Sequence, residues 1–149
     1  MKRTNRIIAI AVALLIGLPT LHAQTTNVVM TVPTTTSISG TVQVNIPFAF
    51  SVAGKTFAAG EYAISPSDEK GITIKSVKGN SAAMVLTNAV GSSKVEGPKL
   101  VFHKYGDKYF LTQTWLRASD RGRELFASPE EIRMAREYHQ QQVTLVAAK

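Results

Sequence analysis

The chain has 149 residues, 17 basic against ten acidic, a formal net charge of +7 and no cysteine. Without thiols there can be no disulfide, thiol catalysis, zinc–thiolate site or lipid anchor attached through cysteine. The core alone must therefore hold any exported domain together.

Lys2, Arg3 and Arg6 precede the uncharged apolar run Ile7 to Leu18, then Pro19, with Ala23 just ahead of Gln24. A positive start, a short apolar stretch and a small residue at a cleavage position predict a secretory signal peptide over residues 1–23. The apolar run falls short of the ~20 residues that span a bilayer as a helix, so no stable membrane span is expected after cleavage. The remainder is 126 of the 149 residues, with 14 basic and ten acidic side chains, a net charge of +4. This points to a periplasmic or secreted domain with an envelope or extracellular partner. An exported chain whose mild surplus forms no basic–aromatic stripe is not expected to bind nucleic acid.

From Arg6 to Lys55 no charged side chain occurs, and Gln24 to Gly40 is rich in threonine and valine, which favour extended backbone. Residues 24–40 are expected to be an extended, flexible leader, and residues 41–149 the β-rich domain. Thr41 to Val52 is the first strand, with a break or an edge at Pro47, which lacks a backbone donor. Short strands follow at Lys55–Phe57, Glu61–Ser65, Gly71–Val77 and Ser81–Thr87, separated by Ala-Gly and Gly-Asn turns. Asn88 to Pro98, with its glycines and serines, is expected to be a long loop.

Lys99 to Arg117 reads as a hairpin around Gly106-Asp107, setting Tyr105 opposite Lys108, His103 opposite Phe110 and Phe102 opposite Leu111. Alternation then sorts Leu100, Phe102, Tyr109, Leu111, Gln113 and Trp115 onto a core face. Val101, His103, Tyr105, Phe110, Thr112 and Thr114 form an amphipathic face open to water, a cavity or a partner. Arg117 to Phe126 is a charged connection. Ser128-Pro129-Glu130-Glu131 has the hydroxyl, proline and glutamates of a helix start, predicting a helix over about 129–141. Its apolar stripe is Ile132, Ala135, Tyr138 and His139, and Val143–Val146 is a last strand. The pattern predicts a single antiparallel β-barrel or β-sandwich domain with one C-terminal helix.

Several of these segments together resemble a family of small exported bacterial proteins of unassigned function. The likeness rests on Val44-Asn45-Ile46-Pro47-Phe48-Ala49-Phe50, Ala59-Gly60-Glu61-Tyr62, Met84 to Asn88, Val101 to Leu111 through Trp115, and Gly122-Arg123-Glu124-Leu125. It covers most of residues 43–140. Ala49 stands where an acidic residue is expected and Ala58 where a proline is. The resemblance implies an exported β-rich domain and no particular activity.

No nucleophile elbow, phosphate loop, dinucleotide fingerprint or His-Glu-x-x-His occurs, so neither metal nor cofactor is expected. His103, Tyr105 and Phe110 are ligand-binding candidates on the amphipathic face. Arg117, Arg121 and Arg123, mixed with Asp120 and Glu124, form a second group able to grip an anion in bidentate fashion. The favoured reading is a non-catalytic domain that binds or scaffolds an envelope or extracellular partner. Two alternatives are an assembly protein that uses residues 24–40 for strand addition, and a hydrolase built on His103 with Asp107.

Overall fold

The computed structural model describes residues 26–36, 39–68 and 70–147. The segment read from sequence as a signal peptide, residues 1–23, lies outside them. Twelve strands and one helix follow in chain order: β1 Thr26–Val32, β2 Thr34–Thr36, β3 Val42–Ile46, β4 Phe50–Val52, β5 Lys55–Phe57 and β6 Gly60–Pro66. They continue with β7 Gly71–Ser76, β8 Ala82–Glu96, β9 Lys99–Tyr105, β10 Lys108–Trp115, β11 Ser119–Leu125, α1 Pro129–Glu137 and β12 Gln141–Ala147.

Hydrogen bonding runs in the order β1-β12-β9-β10-β11-β8-β7-β6-β3-β2. The two ends of that path are consecutive in the chain, joined at Pro33, so the sheet comes nearly round on itself into a barrel. Most pairings are antiparallel, as expected. The exceptions are β1 on β12 and the short β4 on β10, both parallel. Within the segment read as a leader, β1 matches β12 residue for residue and β2 pairs with β3. Pro47 and its neighbours split the first expected strand into β3 and β4.

Two segments read as connections are strands. The Gly/Ser-rich residues 88–96 belong to the fifteen-residue β8, and the charged segment after Leu116 is β11. They pair with each other from Leu125↔Thr87 to Ser119↔Glu96. The ladder is made by backbone groups, so polar side chains are tolerated where the outer face meets water. β8 spans the barrel wall, pairing with β7 through its first half and with β11 through its second.

Alternation in β3, exposed at Gln43 and Asn45 and buried at Val42, Val44 and Ile46, puts one side of that strand against the common core. Phe50, Phe57, Ile64, Ile72, Ile74 and Phe102 are almost wholly buried there. Phe50 meets Phe57 at 5.4 Å, Tyr62 at 5.1 Å and Phe102 at 5.7 Å between ring centroids. Phe48 stacks on Tyr109 at 3.9 Å. This aromatic cluster fills the barrel beside the start of β10.

The β9–β10 hairpin has the expected pairs Tyr105↔Lys108, Phe110↔His103 and Leu111↔Phe102. Beyond Leu111 the register shifts, so that Gln113 faces Val101, Thr114 faces Leu100 and Trp115 faces Lys99. The bulged residue is Thr112, whose hydroxyl donates to Val101 O at 3.1 Å. An extra residue reverses the alternation after it. Trp115 therefore leaves the core face assigned to it from sequence, and Thr114, assigned to the opposite face, takes the inner position. The Trp115 ring lies over Gly122, with the Lys99 ammonium 5.0 Å from its centroid.

A Cβ on Gly122 would stand 2.6 Å from the indole ring. Replacing Gly122 by alanine is expected to cost about 1–3 kcal/mol through overpacking, measured as a lower urea midpoint with an unchanged slope. Gly97→Ala, where the added methyl meets open space, is expected to leave the midpoint in place.

Candidate functional site

The two groups of candidate residues meet different fates. The amphipathic face of β9 and β10 is the seat of α1. Ser128 caps the helix, its Oγ accepting from Glu131 N at 3.2 Å, and Pro129 occupies the first turn. The helix ends at Glu137, short of the expected 141, because β12 begins at Gln141. Its buried side chains are Glu131 and Met134. Ile132, Ala135 and Tyr138, read as the apolar stripe, are exposed. Met134 packs with Tyr105 and Phe110 in a small second core.

Glu131 reaches across to His103, Oε1 to Nδ1 at 3.2 Å, and Tyr105 donates to Gln140 Oε1 at 3.2 Å. Burial first, and the Glu131 carboxylate second, raise the Tyr105 phenol above its ordinary pKa. Val101, Tyr105 and Phe110 are thus sealed, and His103 keeps 29% of its side chain exposed. Asp107 stands at the exposed hairpin tip, and the carboxylate that engages His103 is Glu131. Glu130 and Glu131, read from sequence as part of the helix start, do more than cap the helix. Both are also cross-links, Glu131 to His103 and Glu130 to Lys108.

The arginines gather instead. Arg117, Arg121 and Arg123 line one pocket of about 420 Å³ together with Pro66, Ala89, Thr114, Leu116, Ser119 and Gly122. The register explains the convergence: Arg123 lies opposite both Thr114 of β10 and Ala89 of β8, and Arg121 lies two residues along the same face. Leu125, on that face, belongs to the core, so the face points inward. Along β6 and β10, Pro66 and Thr114 sit at the opposite end from Tyr62 and Tyr109 of the aromatic cluster. The pocket is therefore an open end of the barrel.

Arg117 crosses over Gly40 and donates from Nη2 to Ser39 O at 3.2 Å, which fixes one rim. Among the described residues, no carboxylate lies within ion-pair distance of Arg117 or Arg121. Thr114 is 1% exposed, and its buried Oγ1 has no hydrogen-bond partner. A buried hydroxyl without a partner costs about 1–3 kcal/mol in desolvation. Leu116, Ala89 and Pro66 were not picked out from sequence, and Thr114 was placed only on the amphipathic face of the hairpin. Only the bulge at Thr112 and the pairing of β8 with β11 bring them to the arginines.

Among the described residues no group of three or more His, Asp or Glu is arranged to hold a metal ion, and no helix is long and apolar enough to cross a membrane. No protein-family model, curated protein or solved structure matches the chain. The chemistry of the pocket is accordingly that of its own residues.

The helix clasp has a pH signature. A hydrogen bond from Lys108, and the charges of Lys108 and Arg133, hold the Glu130 carboxyl below its ordinary pKa, against the partial burial that would raise it. A carboxylate with a depressed folded pKa contributes stability above the ordinary carboxylate range and loses it as pH falls through the folded value. Lys108→Met is expected to move the Glu130 titration upward by side-chain carboxyl NMR. It is also expected to flatten the drop in melting temperature on acidification.

Proposed function

We propose that the protein is a non-catalytic, exported β-domain that binds a small organic anion at the open end of its barrel. The observation that carries this reading is the convergence of three arginines on one pocket of about 420 Å³ that also holds apolar surface. That volume falls within the ~300–1,000 Å³ typical of small-molecule sites. Guanidinium groups grip a carboxylate through paired N–H donors in a fixed fork. Pro66, Ala89 and Leu116 offer surface to a short apolar body. The fitting ligand class is an organic acid with one anionic head and a modest hydrocarbon part.

Export rests on the residue 1–23 pattern, and it sets the partner in the envelope or outside the cell. A purely structural use of the arginines would pair them with Asp120 and Glu124, yet Arg117 turns to a backbone carbonyl. A hydrolase built on His103 and Asp107 draws no support from the geometry, since His103 is engaged by Glu131 under the helix.

Hexanoate is a suitable probe, with inorganic phosphate as a head lacking the apolar body. Hexanoate is expected to shift the amide signals of Ala89 and Arg121 to Arg123 saturably by NMR, and phosphate to do so more weakly. Arg121→Gln is expected to weaken hexanoate at least tenfold, which corresponds to about 1.4 kcal/mol, while His103→Gln leaves it unchanged. Absence of saturable shifts at millimolar hexanoate sinks the anion reading. Export is checked separately by intact-mass spectrometry of protein from its host, which is expected to show a first residue near Gln24. Recovery of Met1 on cytosolic protein would overturn that part.

A further inference from the structure

β1 is a seven-residue strand, Thr26-Asn27-Val28-Val29-Met30-Thr31-Val32, with neither a charge nor a proline in it. One edge is fully used by β12, from Thr26↔Gln141 to Val32↔Ala147. On the other edge no strand pairs among the described residues, although β3 comes beside β1 where the barrel nearly closes. Thr26 to Val29 are all exposed, Val28 at 40% and Val29 at 67%. Such an edge presents a row of unpaired N–H and C=O groups to any extended chain.

Other edges of the same barrel are guarded. β2 and β5 are each three residues long, and β5 opens with Lys55. Short length and lysine are devices by which proteins keep sheet edges from pairing. β1 has neither. The contrast within one molecule marks this edge as one that the fold leaves available.

We propose that β1 pairs edge to edge with β1 of a second copy of this chain, antiparallel about a twofold axis at Val29. The two barrels then share one continuous sheet. The strand is self-complementary in this arrangement: Val29 faces Val29, Val28 faces Met30, Asn27 faces Thr31 and Thr26 faces Val32. Like charges directly opposite one another destabilise a strand pair. Here none can meet, because the sequence carries no charged side chain between Arg6 and Lys55. An isologous contact of this kind closes at two copies and leaves no edge for growth. An uncharged edge gives a charged foreign strand nothing to pair with, whereas its own copy matches it in length, polarity and register. One strand pair buries less than the ~1,600 Å² of a standard interface, so the dimer belongs in the micromolar range.

Sedimentation velocity on the purified protein across micromolar concentrations tests this. The wild type is expected to move from monomer to dimer, and Val29→Lys to remain monomeric with an unchanged melting profile. Met84→Lys, at a residue 74% exposed on β8, is expected to dimerise as the wild type does. The chain lacks cysteine, so Val29→Cys gives a single thiol per copy. It is expected to yield a disulfide-linked dimer on mild oxidation, where Met84→Cys does not, and this readout stands even if Val29→Lys fails to fold. A wild type that stays monomeric, a dimer that survives Val29→Lys, or Val29→Cys that does not cross-link overturns the proposal.

Discussion

The extra residue at Thr112 decides which way everything beyond it in β10 points. Before it, Phe102 and Leu111 share the inner face with the core. After it, Thr114 points in and Trp115 points out. An unbroken alternation would turn the indole inward where the threonine now stands. Arg123 lies opposite Thr114, so the pocket owes its small inner residue to that one insertion. The bulge is anchored by a hydroxyl-to-carbonyl bond from Thr112 to Val101, and a hydrogen bond of that kind is worth about 1 kcal/mol.

The two faces of the central hairpin are put to different uses. Its inner face joins the aromatic cluster that fills one end of the barrel. Its outer face receives α1 through Met134, Glu131 and the pair Glu130–Lys108. A hydrogen bond such as that between His103 and Glu131 adds little net stability, but removing one partner leaves the other's buried polar atom unmatched. The clasp of His103 and Glu131 thus serves chiefly to position the helix. The unpartnered hydroxyl of Thr114 lies at the other end, beside the arginines.

Much of the architecture was legible from residue order. The hairpin register through Leu111 follows from Gly106-Asp107 and alternation, and the start of α1 from Ser128-Pro129. The split at Pro47 follows from its missing donor. What escaped sequence reading was polar strand. β8 and β11 are rich in glycine, serine and charge because their pairing is made by backbone and their outer side is wet. The helix stripe was misjudged because apolar spacing favoured Ile132, whereas packing selected Met134 and tolerated the charge of Glu131 against His103. The three arginines were visible as a cluster. Their pocket was not, since Ala89 and Pro66 reach it only through pairings distant in sequence.

The position of Trp115 makes the protein its own reporter. It is the chain's one tryptophan, shielded from solvent at 4% exposure and lying directly on the backbone of Gly122 in the pocket wall. Any movement of β11 toward or away from a bound molecule changes the surroundings of that indole, and with them the wavelength and yield of its emission. The neighbouring ammonium of Lys99 heightens the sensitivity, because a charge beside an excited indole shifts its spectrum. Intrinsic fluorescence therefore follows the pocket without a dye, a tag or an engineered label.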